Sequence, residues 1–199
     1  RLGDQDLDGV QAEVLYGVLG SSGRLNDPHA AVEMLRIYND WLHDFCSASP
    51  DRLIGLANIP SHDMEAAVAE VKRAAARGVR GIDVANRPDM IPLYDEFYEP
   101  LWRVAEETGL PVHFHTIGGR SPDYTKMNAK VARRAFATHI TGFQMHMSLM
   151  LMQLMYSGAL ERYPNLKVVI GEAGLGWIPY VLQHMDMEWE DQFKDLELT

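Results

Sequence analysis

The fold of this chain is decided by one stretch, "RLIGLANIPSHDMEAAVAEVKRAAARGVRGIDVAN", Arg52 to Asn86. It opens on an apolar run, Arg52 to Pro60, of the length and composition of a buried strand. An alanine-rich segment follows, suited to a helix that Gly78 closes in the left-handed conformation. A second apolar run, "VRGIDVAN", comes next. A strand, a helix and a strand in so short a span make the crossover unit of a parallel sheet.

The rhythm continues outward. "LYDEFYEPLWRVAEETG", Leu93 to Gly109, reads as a second helix that Pro100 kinks or splits. "LPVHFHT", Leu110 to Thr116, is a third strand. A long helical region is expected from about Met127 to Ser157, with Thr141-Gly142 as its candidate break. "LKVVIGEAG", Leu166 to Gly174, is a fourth strand, and "WIPYVLQHMDMEWEDQF", Trp177 to Phe193, begins another helix. Toward the N-terminus, Asp27-Pro28 has the form of an N-cap and a first-turn proline. Behind it Val32, Leu35, Tyr38, Leu42 and Phe45 fall on one helical stripe. "AEVLYGVL", Ala12 to Leu19, is a weaker strand candidate.

Apolar strands alternating with helices fit either an open doubly wound sheet or a (β/α)8 TIM barrel. No GxGxxG or GxxxxGK[ST] follows any of the strands, so the commonest nucleotide-binding signs are missing. Polar residues cluster instead at the C-terminal ends of the strands: Asn58, Asp83 with Asn86, His113 with His115, and Glu172. A barrel gathers all such ends into one site, which favours the barrel. Eight strands and about 250 residues are usual for that fold. Five strands in 199 residues therefore lead us to expect a single partial barrel domain over residues 1–199, an interior piece of a longer chain.

Composition narrows the partners. The chain is 47% hydrophobic, enough for one sizeable core. The 28 acidic and 18 basic residues give a net charge of −10, a surface that repels nucleic-acid backbones. No apolar run reaches the roughly 20 residues needed to cross a bilayer, so no membrane role is expected. Cys46 is the only cysteine, so no intrachain disulfide can form and a reducing, cytoplasmic compartment is expected.

The stretches "DLDGVQAEVLYG", "YNDWLHDFC", "RLIGLANIP", "LPVHFHT" and "SGALERYPNLKVVIGEAGLGWIPYVLQHMD", in this order, resemble the amidohydrolase-related family that includes aminocarboxymuconate-semialdehyde decarboxylase and the resorcylate-type decarboxylases. The resemblance runs along almost all of the chain. It implies a distorted barrel of which strands two to six are present. The first strand, with its HxH-type metal motif, and the eighth, with a metal-binding aspartate, are not in this sequence. It further implies a small-molecule substrate, one divalent ion, expected to be zinc, and a homodimer.

The residues themselves limit which roles are open. His113 and His115, at i and i+2 of a strand, face one side about 6.6 Å apart along the chain. Either they are buried and hydrogen-bonded to backbone, or they meet a metal, for which neutral imidazole is suited. The resemblance aligns His115 with the family's fifth-strand ligand and His113 with none, so His115 is the expected ligand and His113 a supporting residue beside the substrate. Glu172 ends the sixth strand, where a carboxylate can ligate a metal, act as a general base, or simply cap the next helix. Better-known decarboxylases of the family carry histidine there, and this departure tilts the reading toward hydrolysis with Glu172 as the catalytic base. Asp83, Asn86 and Arg120 are the remaining candidates for substrate contact; a guanidinium in the Arg120 loop could grip a carboxylate with two bonds.

Hydrolysis by metal-activated water is thus placed first, non-oxidative decarboxylation second, and a non-catalytic barrel relative third.

Overall fold

Local sequence sets where the elements begin and end. The computed structural model describes residues 1–17, 22–85, 87, 89–115, 123–196 and 198, with only the backbone of 143 and 144. After a short helix α1 (Leu2–Asp8) comes strand β1 (Glu13–Leu15). Helix α2 (Pro28–Cys46) starts as expected: the Asp27 carboxylate accepts from the backbone N–H of His29 and of Ala30, with Pro28 in the first turn. Strands β2 (Leu53–Gly55) and β3 (Ala57–Ile59) lead into α3 (Met64–Ala76), capped by Asp63. Strand β4 (Ile82–Val84) precedes a 3₁₀ turn (Glu96–Tyr98) and α4 (Glu99–Thr108). Pro100 therefore splits the expected helix and sits in the first turn of its second half, where a missing N–H costs nothing. Strand β5 (Val112–His115), helix α5 (Ala129–Tyr156), the one-turn helix α6 (Ala159–Arg162), strand β6 (Val168–Gly171) and helix α7 (Ile178–Glu188) complete the order. Helix α5 passes through Thr141-Gly142 without a break, contrary to the candidate break there.

Every strand pairing among the described residues is parallel. β1 pairs with β2, and β3, β4, β5 and β6 are neighbours in that order. This is the succession expected from the sequence, with one correction. The run from Arg52 to Pro60 is two strands, because the chain changes partners at Leu56: Leu56 N–H donates to the Leu15 carbonyl at 3.1 Å, and Ala57 N–H to the Gly81 carbonyl at 3.1 Å.

Past that switch Asn58 no longer faces a strand on the β1 side. The Asn39 side chain from α2 takes the strand's place: its Oδ1 accepts from Asn58 N–H at 2.7 Å and its Nδ2 donates to the Asn58 carbonyl at 2.9 Å. Nδ2 also donates to buried Glu70 at 2.6 Å, which Arg73 grips from the other side. Loss of that amide would strand buried backbone groups worth about 1–3 kcal/mol each. This clasp also explains why Asn39 joins Ala31, Leu35, Leu42 and Cys46 on the buried face of α2, which keeps Leu35 and Leu42 of the expected stripe. Phe45 is left exposed, stacked on Trp41. Of the other expected positions, Val32 and Tyr38 are half-buried.

The main core lies between the sheet and helices α3, α4 and α5, with Trp102, Tyr98, Phe114 and Ile82 fully buried. No described helix is long and apolar enough to cross a membrane. The outer strands of the arc leave Val14 and Val169 partly exposed.

Candidate active site at the strand ends

Parallel pairing brings the chain's polar strand ends together. Asn58 lies opposite Asp83, Asp83 opposite His113, and His115 opposite Gly171, next to Glu172. Asn58, Asp83 and His113 are buried, and the His115 side chain is mostly so.

The fourth side of this group comes from β1. After Leu15 the chain turns inward at Tyr16-Gly17. Gly17 N–H donates to Asp83 Oδ2 at 3.3 Å. A Cβ on Gly17 would lie 1.9 Å from Asn58 Oδ1, so only glycine lets the backbone approach so closely. Tyr16 is thereby placed over both histidines. Its hydroxyl and His113 Nδ1 share a hydrogen bond of 2.9 Å. Its ring stacks on the His115 imidazole, centroids 4.5 Å apart and planes at 28°. The two imidazoles do face one side, as the i, i+2 spacing required.

His115 Nε2 stands 3.1 Å from Glu172 Oε2. Glu172 reaches it from a backbone with φ of 55°, the only positive value among the described non-glycine residues. Such a conformation costs on the order of 1 kcal/mol and turns the carboxylate back over the strand ends. Its side chain is 60% exposed.

Electrostatics distinguish the buried groups. Burial pushes the Asp83 carboxyl up to about 7, only partly offset by the bond from Gly17 N–H. Burial also lowers the His113 imidazole below its ordinary value, which keeps it neutral near pH 7. The Tyr16 phenol is raised, first by burial and then by the Asp83 charge.

The sequence candidates His113, His115, Asp83 and Glu172 are therefore in one place, while Asn86 and Arg120 lie outside the described residues. Tyr16 and Gly17 were missed by the sequence reading. Their only signal is an aromatic-glycine pair at the end of a weak strand. Among the described residues no three His, Cys, Asp or Glu side chains converge as a full metal site. The donors that do converge, an imidazole nitrogen and a carboxylate oxygen 3.1 Å apart, have the spacing of two adjacent ligands about 2.1 Å from one ion, so the pair fits part of a site.

Comparison with known proteins bears on the same residues. The family model described as Amidohydrolase matches residues 10–197. The gamma-resorcylate decarboxylase of Rhizobium sp. (strain MTP-10005) is 25% identical over 194 residues, covering 94% of this chain and 58% of its own. The 2-amino-3-carboxymuconate-6-semialdehyde decarboxylase of Dictyostelium discoideum is 25% identical over 191 residues, covering 94% and 50%. A crystal structure of 5-carboxyvanillate decarboxylase from Novosphingobium aromaticivorans, complexed with manganese and 4-hydroxy-3-methoxy-5-nitrobenzoic acid, superposes with a TM-score of 0.80 at 26% identity, over 96% of this chain and 55% of that one. The arc of parallel strands is thus part of a TIM barrel, and this chain spans between half and three-fifths of the relatives' lengths. The named relatives are decarboxylases, which favours that alternative over the hydrolysis placed first from the sequence.

Proposed function

Because this chain belongs to the amidohydrolase family, we propose that it carries one wall of the active site of a metal-dependent, non-oxidative decarboxylase of a small cyclic or unsaturated organic acid. The observation that carries this reading is the His115–Glu172 pair at 3.1 Å at the mouth of the parallel strands. His115 would hold a divalent ion through Nε2. The decarboxylase relative with manganese supports a divalent ion and leaves zinc or manganese to metal analysis. Such an ion, when bound, orients the substrate carboxylate and polarises it.

The chain's own residues would do the rest. Asp83, whose carboxyl is pushed up to about 7 by burial, can in its protonated form donate a hydrogen bond to an anionic substrate where an ionised carboxylate would repel it. Glu172 lies close enough to His115 to handle the proton that replaces carbon dioxide on the substrate carbon. The bond from that carbon to the carboxylate breaks, its electron pair stays on the carbon, and the proton fills the position. His113, held by Tyr16, supports the site without ligating.

Hydrolysis is the second reading, favoured by the carboxylate at position 172, which could activate a water instead. Incubating the full natural protein with 2,6-dihydroxybenzoate and with 5-carboxyvanillate and measuring carbon dioxide separates the two. Release with either acid is expected, and Glu172→Gln should lower it by about 100-fold or more while leaving the fold intact. Cleavage of an ester or amide with no carbon dioxide would instead establish the hydrolase. We further propose a homodimer in the cytoplasm; sedimentation over a range of concentrations should show two copies, and a strict monomer at the highest concentration refutes that assembly.

A further inference from the structure

Three independent contacts cage the His115 ring. Tyr16 lies flat on one face at 4.5 Å. Gly171 runs along the Cδ2 edge, where an added Cβ would stand only 3.2 Å from that carbon and 2.9 Å from the Tyr16 hydroxyl. Glu172 meets Nε2. Tyr16 in turn cannot drift. Its hydroxyl is tied to His113 Nδ1, and the following residue is pinned between Asp83 and Asn58.

An imidazole turns readily about its outer side-chain torsion, which is broad and has no sharp well. A ligand's affinity depends on its nitrogen being aimed before the ion arrives, and neighbours that fix a ligating ring typically contribute 10–100-fold. In most such sites a carboxylate or carbonyl fixes the ring through its second nitrogen. Here an aromatic face also lies against the ring. We propose that Tyr16 is a positioning residue of the site: its stacked ring fixes the plane of His115 so that Nε2 points toward Glu172, and its hydroxyl bond to His113 anchors the stack. The proposal rests on His115 being a metal ligand, and it assigns to the second barrel strand a role in aiming a ligand on the fifth.

The test uses the full natural protein, stripped of metal and titrated with Mn²⁺ alone, the free ion being read by electron paramagnetic resonance. Tyr16→Leu removes the face and should weaken Mn²⁺ binding about 10–100-fold. Tyr16→Phe keeps the face and should recover most of that loss. A second measurement does not require the leucine variant to fold. In the metal-free wild type and in Tyr16→Phe, the His115 ring protons should be shifted upfield by the ring current of the stacked aromatic. Unchanged Mn²⁺ affinity in Tyr16→Leu, a Tyr16→Phe as weak as Tyr16→Leu, or no ring-current shift in the wild type each overturns the proposal. His115→Ala is the control. If it binds Mn²⁺ as the wild type does, the ligand assignment itself has failed and the positioning role falls with it. If it loses the ion while Tyr16→Leu keeps it, only the positioning role has failed.

Discussion

Replacing His115 by alanine should strip the divalent ion and the activity together. The reason is that a site held by few protein ligands loses much of its affinity with any one of them, and His115 Nε2 is the ligand expected from this chain. Changing a group that merely supports a ligand costs 10–100-fold in affinity or activity, so removing the ligand itself should exceed about 100-fold. His113→Asn is the contrasting variant. His113 is buried with its Nδ1 joined to Tyr16, and its replacement should leave the ion bound, about 10–100-fold weaker at most. Metal content by mass spectrometry and carbon dioxide release, measured on both variants, decide the matter. A full complement of metal in His115→Ala would falsify the ligand assignment and return both histidines to the core.

The second large effect is a pH dependence of stability centred on Asp83. Its carboxyl is raised from an ordinary 3.8 to about 7 in the folded protein, chiefly by burial. Between those values the folded state holds a proton that the unfolded state has released. Raising the pH therefore favours unfolding across this window, and the loss is complete above about pH 7. A shift of this size corresponds to about 4 kcal/mol at 1.36 kcal/mol for each tenfold change in proton concentration. The metal-free wild type should lose that much relative to Asp83→Asn between about pH 4 and pH 8. Asparagine keeps an oxygen for Gly17 N–H, so the bond from the Tyr16-Gly17 corner survives and only the charge is lost. Urea unfolding of both proteins at several pH values reads the difference. A constant gap between the two curves would show that Asp83 ionises normally.

Much of the architecture was legible because its determinants are local. Asp27, Gly78 and Gly109 mark helix ends by the hydrogen bonds or backbone angles that their residue types favour, and all three act at those ends here. The apolar runs gave the strands and their order, since short crossovers between parallel strands leave few alternatives. Where the reading slipped, a non-local partner had overruled a local pattern. On α2 the polar Asn39 is buried beside the expected Tyr38, because its amide bonds to the backbone of Asn58. Of the two effects expected of Pro100, a kink or a split, the structure shows the split, with a helix beginning at Glu99.

The candidate site divides along the same line. That polar residues would gather at one end of the strands follows from sequence alone, because parallel strands share one direction and their C-terminal ends must meet. The equivalence of His113 and His115 in "VHFH", by contrast, could not be broken from the period of a strand, which puts both on one face. The resemblance assigned them different roles, and the tertiary structure gives them different surroundings, through Tyr16, which bonds to the His113 ring and stacks on that of His115. The elevated proton affinity of Asp83 is likewise absent from its neighbours in the chain. It arises from burial among strands brought in from residues 16 to 113, and burial is a property of the assembled fold.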